Sequence, residues 1–321
     1  MHPLLSFGSV ALLITVVAAC GSDNSSSPPA SSSPDGAAAL TVAVAFYPVE
    51  EMVRGVGGDR VRIVDLTPPG GAPHDLELTP QKVTDLEGAD VVFYVGRGFQ
   101  PSVEKAVAAL ADTVVKVDLL DTVTLLPVTP QLAGTEGEVD GEVLEGNTDP
   151  HIWVDPANMI TMTNVVEATL AAAAPSDKDA FSSNASVYEG KLTMLDGEFS
   201  AQLKTCESRT IVTSHRAFEY LAHHYDLKQI PIAGISPDEE PDPKSLEAVA
   251  AAARADGVTT VFFEEQVPKD LSETVAREIG ASTDALDPIE TITQDRLDAG
   301  TTYITIQEAN LASLVKALRC T

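Results

Sequence analysis

Positive charge is scarce in this chain. Lys and Arg total 20 of 321 residues against 48 Asp and Glu, a net charge of −28. Such a surface cannot neutralise phosphates, which sets aside nucleic-acid binding. It also disfavours electrostatic docking on anionic lipid. Long apolar runs are missing too: Val10 to Ala19 is too short to span a bilayer, and no later stretch is long and apolar enough. Cysteine is limited to three residues and histidine to six, so thiol or imidazole chemistry has few sites to use. What is present is ordinary for a globular protein, with 44% hydrophobic and 21% charged residues. The length suits about two domains of roughly 100–200 residues each. An acidic surface is compatible with cationic ligands, although acidity by itself serves solubility.

The N-terminal run Val10–Ala19 (VALLITVVAA) followed by small residues has the pattern of a signal peptide over 1–19. Val17-Ala18-Ala19-Cys20 resembles a bacterial lipobox, which implies cleavage before Cys20 and lipidation of that cysteine. The stretch ahead of it has no Lys or Arg, and the first basic side chain is Arg54. The alternative is a plain secretory signal with an incidental cysteine. Residues 20–39 are rich in Ser and Pro and hold no large apolar side chain before Leu40, so a flexible tether is expected. With Cys20 lipidated, Cys206 and Cys320 remain, in a compartment where disulfides persist. A bond between them is therefore expected.

From Leu40 onward short apolar runs alternate with helical patterns. Strands are expected at 40–45, 61–66, 91–95 and 114–117, with helices at 49–56, 80–86 and 102–110. Residues 134–149 interrupt this with six acids, no base and four glycines, which reads as a solvated loop. A helix over 156–173 follows. A longer one runs from Asp177 to about Lys204, with Ser176 as its expected cap and apolar positions at Phe181, Val187, Leu192, Leu195, Phe199 and Leu203. Alternation then resumes, with strands at 210–213, 228–232, 260–264 and 281–286 and helices at 217–224, 243–255, 271–279 and 303–318. The fold class is α/β: two lobes with parallel sheets, 40–175 and 206–321, joined by a long helix over 176–205.

Five histidines follow the signal segment: His74, His151, His215, His223 and His224. His223 and His224 sit in a helical pattern and read as structural. The other three sit in loops. His74 and His215 follow strands, one in each lobe, where open α/β sheets bind ligands. Three imidazoles from separate loops suit a borderline metal such as Zn2+, and one carboxylate would complete a tetrahedron.

Local motifs sharpen this. Pro69-Gly70-Gly71-Ala72-Pro73-His74-Asp75-Leu76-Glu77-Leu78-Thr79-Pro80, Asp149-Pro150-His151-Ile152-Trp153-Val154-Asp155-Pro156 and Thr213-Ser214-His215-Arg216-Ala217-Phe218-Glu219-Tyr220-Leu221 resemble, in order, three metal motifs of the cluster A-I substrate-binding lipoproteins of bacterial ABC importers. Glu240-Pro241-Asp242-Pro243-Lys244-Ser245-Leu246 resembles their loop into a C-lobe helix, and Leu286-Asp287-Pro288-Ile289-Glu290 resembles the fourth metal segment of the zinc branch. The resemblance covers about 40–320 and implies an ion held in a cleft between two lobes with restricted hinge motion. It implies His74, His151, His215 and Glu290 as metal ligands, with Asp284, Asp287 or water as other candidates for the fourth place. Manganese and iron members usually carry Glu in place of the third histidine, so His215 favours zinc. The motif departs from the family at Leu76, and the acidic loop holds no histidine where zinc members often have many.

The expected function is an extracytoplasmic receptor that captures Zn2+ and delivers it to an ABC permease, anchored to the membrane through lipid only, monomeric, with no nucleic-acid partner. The alternatives are a zinc metallohydrolase, a receptor for manganese or another transition metal, and a surface adhesin. No enzyme activity is expected, because nothing else in the chain resembles a zinc-protease helix or a phosphatase metal pair.

Overall fold

The computed structural model describes residues 39–128 and 144–321. The expected signal peptide, Cys20, the tether up to residue 38 and the acidic stretch 134–143 lie outside the described residues.

The first sheet is built from β1 (Leu40–Val44), β2 (Val61–Asp65), β3 (Val91–Tyr94) and β4 (Val115–Asp118), in the order β2-β1-β3-β4 and parallel throughout. Side chains alternate along β1 as the pleat requires. Val42 and Val44 join one core cluster, and Ala43 joins another with Val64, Val92, Leu86 and Val103. The sheet is thus apolar on both faces, as a parallel sheet between helices must be. Helices α1 (Tyr47–Gly57), α2 (Pro80–Glu87) and α3 (Pro101–Ala109) provide that cover. In α1 the buried positions Val49, Met52, Val53 and Val56 recur at helical spacing.

Helices α4 (Pro156–Ala173) and α5 (Lys178–Gln202) follow. Both α2 and α4 start on a side-chain cap followed by proline: Thr79 before Pro80, and Asp155 before Pro156. The cap expected from Ser176 is not made. A 3-10 turn over Pro175–Asp177 precedes α5, Asp177 takes the cap position without a side-chain cap bond, and its carboxylate pairs with Arg60 instead. The 25 residues of α5 give a rod of about 38 Å. One stripe of it, Phe181, Ala185, Tyr188, Leu192, Leu195 and Phe199, is buried. Val187 falls off that stripe and is 62% exposed, contrary to the sequence pattern. Helix α5 packs on α4 and α1 on one side and on α10 (Tyr303–Leu318) on the other. A single core cluster therefore runs from Val42 through Phe181 and Phe199 to Ile211 and Leu314.

The second sheet repeats the first. Strands β5 (Thr210–Thr213), β6 (Lys228–Pro231), β7 (Thr260–Phe263) and β8 (Ser282–Ala285) lie parallel in the order β6-β5-β7-β8. Helices α6 (Glu219–His224), α7 (Pro243–Ala255) and α8 (Asp270–Ile279) intervene, and a short α9 (Gln294–Asp298), absent from the sequence expectation, precedes α10. Strand order reverses around β1 in one sheet and β5 in the other, so each has a switch point whose crevice lies beyond the strand C-termini. Cys206 and Cys320 form a disulfide that ties the chain after α5 to the chain after α10, as expected.

Candidate metal centre

His74, His151, His215 and Glu290 are brought together from four loops. One ligand atom from each lies within 4.8 Å of the others, and all four residues are buried. The three imidazole Nε2 atoms converge on a single oxygen, Glu290 Oε1, at 3.6 Å from His74, 3.3 Å from His151 and 2.9 Å from His215. Such a buried cluster of three rings and one carboxylate is a donor set of three nitrogens and one oxygen.

The rings are held from behind. His151 Nδ1 lies 2.9 Å from Asp149 Oδ1, which also accepts the His151 backbone N–H at 2.9 Å. His215 Nδ1 lies 2.5 Å from Glu264 Oε1, which Ser214 Oγ also approaches. When an ion displaces the Nε2 proton, a carboxylate on Nδ1 fixes the tautomer whose Nε2 lone pair faces the centre and raises its basicity. The His74 ring meets Phe99 edge-on at 4.7 Å, and Gln100 Nε2 donates to Pro73 O at 3.2 Å. Phe99 reaches this place through the turn at Gly96, where a Cβ would come within 2.4 Å of Asp118 Oδ2.

The loops are cross-tied. Gly70 N donates to Ile292 O at 2.8 Å, joining the His74 loop to the Glu290 loop. Trp153 Nε1 donates to Pro288 O at 2.8 Å, joining the His151 segment to the same loop. Tyr220 OH donates to Asp149 O at 2.9 Å. At the mouth, Asp238 meets Asp75 from the other lobe. Burial, then the hydrogen bond and charge of Asp75, push the Asp238 carboxyl up, while His74 opposes.

The electrostatics are those of a site that wants positive charge. Burial works against a charged His215, but Glu264 and Glu290 overcome it and hold the imidazole well above its ordinary value. Burial would raise the Glu290 carboxyl, but His215, His74 and hydrogen bonds from His151 and His215 hold it well below the usual range.

Of the three acids that competed for the fourth place, Glu290 alone faces the histidines. Asp284 pairs with Lys316 at 2.7 Å and Asp287 with Arg296 at 2.7 Å. His224 stays out of the site and contacts Asp155, in keeping with its structural reading. Two residues went unassigned in the sequence. Glu264 follows β7 directly, so a carboxylate at the carboxyl end of a switch-point strand was the available signal. Asp149 falls in the stretch read as a solvated acidic loop; it is instead fully buried with Oδ1 against the His151 ring, and Leu144 of the same stretch is buried with Val128 and Ile235.

Among the described residues no helix is long and apolar enough to cross a membrane. The zinc-binding lipoprotein AdcA of Streptococcus pneumoniae serotype 4 is 33% identical over 282 residues, covering 86% of this chain and 55% of that protein. The chain thus spans about half the length of that relative. The high-affinity zinc uptake system protein ZnuA of Bacillus subtilis is 32% identical over 291 residues, covering 87% of this chain and 88% of that one. The crystal structure of the Zn(II)-bound ZnuA-like domain of Streptococcus pneumoniae AdcA aligns with a TM-score of 0.73 and 31% identity, over 87% of this chain and 98% of that one. The family model of ZnuA, the periplasmic component A of the zinc-uptake complex, matches residues 42–317. The chain belongs to that family.

Proposed function

We propose that this protein captures Zn2+ outside the cytoplasmic membrane and delivers it to an ABC permease, with His74, His151, His215 and Glu290 as the ligands. The observation that carries this reading is the convergence of three Nε2 atoms on Glu290 Oε1, with Asp149 and Glu264 behind two of the rings. Hard cations such as Mg2+ and Ca2+ want mostly oxygen ligands. A nitrogen-rich tetrahedral set suits zinc. One carboxylate ligand halves the ion's double charge, and the carboxylates of Asp149 and Glu264 behind the rings more than offset the single charge that remains.

The site reads as a receptor and not a hydrolase. A catalytic zinc keeps one position open for water beside a general base. Here Glu290 takes the fourth place, Asp149 and Glu264 are engaged with imidazole Nδ1 atoms, and Asp75 and Asp238 at the mouth are hydrogen-bonded to each other. The lobes 40–175 and 206–321, the connecting helix 176–205, a monomeric state and an anchor at Cys20 belong to the same proposal. Cys20→Ala should release the protein from the membrane fraction; continued fractionation with membranes would remove the anchor.

The deciding measurement is metal content by mass spectrometry on protein purified without a His tag, joined to competition against a zinc chelator. One tightly held zinc per chain is expected. Manganese in its place, or no metal at all, would overturn the assignment.

A further inference from the structure

The residue before Glu290 has a backbone that needs explaining. Ile289 has φ of 61°, is β-branched and is fully buried. The left-handed region is an outlier for such a side chain and persists only where its surroundings over-determine it.

Those surroundings centre on Asp287. Its Oδ1 accepts the Ile289 N–H at 2.8 Å, which closes an Asx turn over Pro288. Its Oδ2 accepts Arg296 Nη1 at 2.7 Å. Its backbone is gripped at both ends by one amide from α10: Asp287 N donates to Asn310 Oδ1 at 2.8 Å, and Asn310 Nδ2 donates to Asp287 O at 2.7 Å. Both carboxylate oxygens and both backbone groups of Asp287 are therefore used. Beyond Glu290 the chain is fixed again where Ile292 O accepts Gly70 N.

We infer that Asp287 is the positioning residue for the fourth donor: it holds Ile289 in its left-handed turn and so places Glu290 Oε1 where the three imidazoles meet. The inference rests on the proposed role of Glu290 as a ligand. Zinc tolerates water in place of a carboxylate, so the fourth donor is the one whose presence depends on how well its loop is held. Arg296 and Asn310 act through Asp287, which connects helices α9 and α10 to the ion site with no contact of their own to the metal.

The test uses four variants, each confirmed as folded by circular dichroism, with zinc affinity read by chelator competition and the site read by the visible spectrum of the Co2+-loaded protein. Asp287→Ala should weaken zinc by up to, and no more than, the fold-loss of Glu290→Ala, and should shift the cobalt bands toward those of Glu290→Ala. Adding Ile289→Gly to Asp287→Ala should restore most of the affinity and the wild-type bands, because glycine enters the left-handed region freely. Asp287→Asn keeps an acceptor for the Ile289 N–H and should retain the wild-type cobalt bands. Unchanged affinity and bands in Asp287→Ala would overturn the inference, as would a loss that Ile289→Gly does not rescue or an equal loss in Asp287→Asn. Failure of the wild-type protein to bind zinc, or Glu290→Ala binding as tightly as wild type, strikes the ligand assignment instead.

Discussion

Glu264 lies behind His215: its Oε1 is 2.5 Å from His215 Nδ1, while Nε2 of the same ring is 2.9 Å from Glu290 Oε1. One imidazole therefore bridges two carboxylates, one from the end of β7 and one from the loop after β8. When an ion takes the place beside Nε2, the bond at Nδ1 still fixes the ring. Glu264→Ala should then weaken zinc about 10-fold to 100-fold although Glu264 does not touch the ion. Glu264→Gln keeps an acceptor for the Nδ1 proton and should lose less. Chelator competition on both variants checks this, and equal affinity in Glu264→Ala and wild type would show the bond to be incidental.

The four proposed ligands should not be equal. The histidines supply the nitrogen donors that set the metal preference, whereas Glu290 can be replaced by water. His74→Ala, His151→Ala and His215→Ala are each expected to cost more affinity than Glu290→Ala. Isothermal titration with zinc would settle the ranking, and a Glu290→Ala loss larger than that of any histidine variant would invert the argument.

Much of this was legible in the sequence. Alternating apolar and helical runs gave the two parallel sheets, because pleat and helix periods follow directly from which positions must be buried. The histidines stood out because so few exist and because Pro73-His74-Asp75 and Ser214-His215-Arg216 follow strands. Glu264 did not stand out. It is one of 48 acids, and its role appears only when parallel pairing sets the end of β7 beside the end of β5. Nor could composition show the left-handed turn at Ile289, since a β-branched residue argues against that conformation until Asp287 and Asn310 are in place. The capping run at Ser176 misled because Pro175–Asp177 form a 3-10 turn that moves the cap position of α5 to Asp177, whose carboxylate Arg60, far off in sequence, engages.

A pH-dependent contact lies away from the metal site. His224 on α6 places Nδ1 at 2.8 Å from Asp155 Oδ1, at the cap of α4, and Nε2 at 3.7 Å from Asp196 Oδ1 on α5, and its ring stacks on Tyr225. Tyr225 OH donates to the same Asp196 oxygen. The hydrogen bond to Asp155 raises the His224 pKa above 6.5, burial opposes, and the charges of Asp155 and Asp196 add to the rise. A histidine raised on folding stabilises fully below its unfolded value of about 6.5. That contribution fades as pH climbs through the higher folded value. Urea unfolding of ion-free protein from pH 5.5 to 9 should show wild type losing stability against His224→Gln across that window. A constant difference between the two at all pH values would contradict the assignment.

The Cys206–Cys320 bond closes a loop with a sequence separation of 114. In the chain-entropy model this stabilises by at most about 4–5 kcal/mol. The bond lies at the ends of α5 and α10, away from the four ligands. Cys206→Ser with Cys320→Ser should therefore lower the unfolding midpoint and leave zinc affinity within about threefold, a difference under roughly 1 kcal/mol. Thiol titration of unfolded, unreduced protein carrying Cys20→Ala should find no free thiol. Two free thiols would refute the bond.

The acidic segment divides into residues 134–143 and a part that ends on the buried Asp149. A carboxylate contributes to a tight ion site only if its chain segment is ordered around the ion, and that ordering costs entropy. Replacing residues 134–143 with a short Gly-Ser linker should leave the tight zinc site within about threefold of wild type, a change under roughly 1 kcal/mol, while removing weak secondary binding. The replacement must stop well short of Asp149, since that carboxylate is buried against His151 and accepts from both its ring and its backbone N–H. Asp149→Ala should cost about 10-fold to 100-fold, as for other partners of metal ligands. Asp149→Asn should cost less, because an acceptor for the Nδ1 proton survives. Measured together by chelator competition, the linker variant and the Asp149 variants separate charge that only surrounds the site from charge that sets a ligand. A hundredfold loss in the linker variant, with Asp149 untouched, would mean that a residue between 134 and 143 binds the ion.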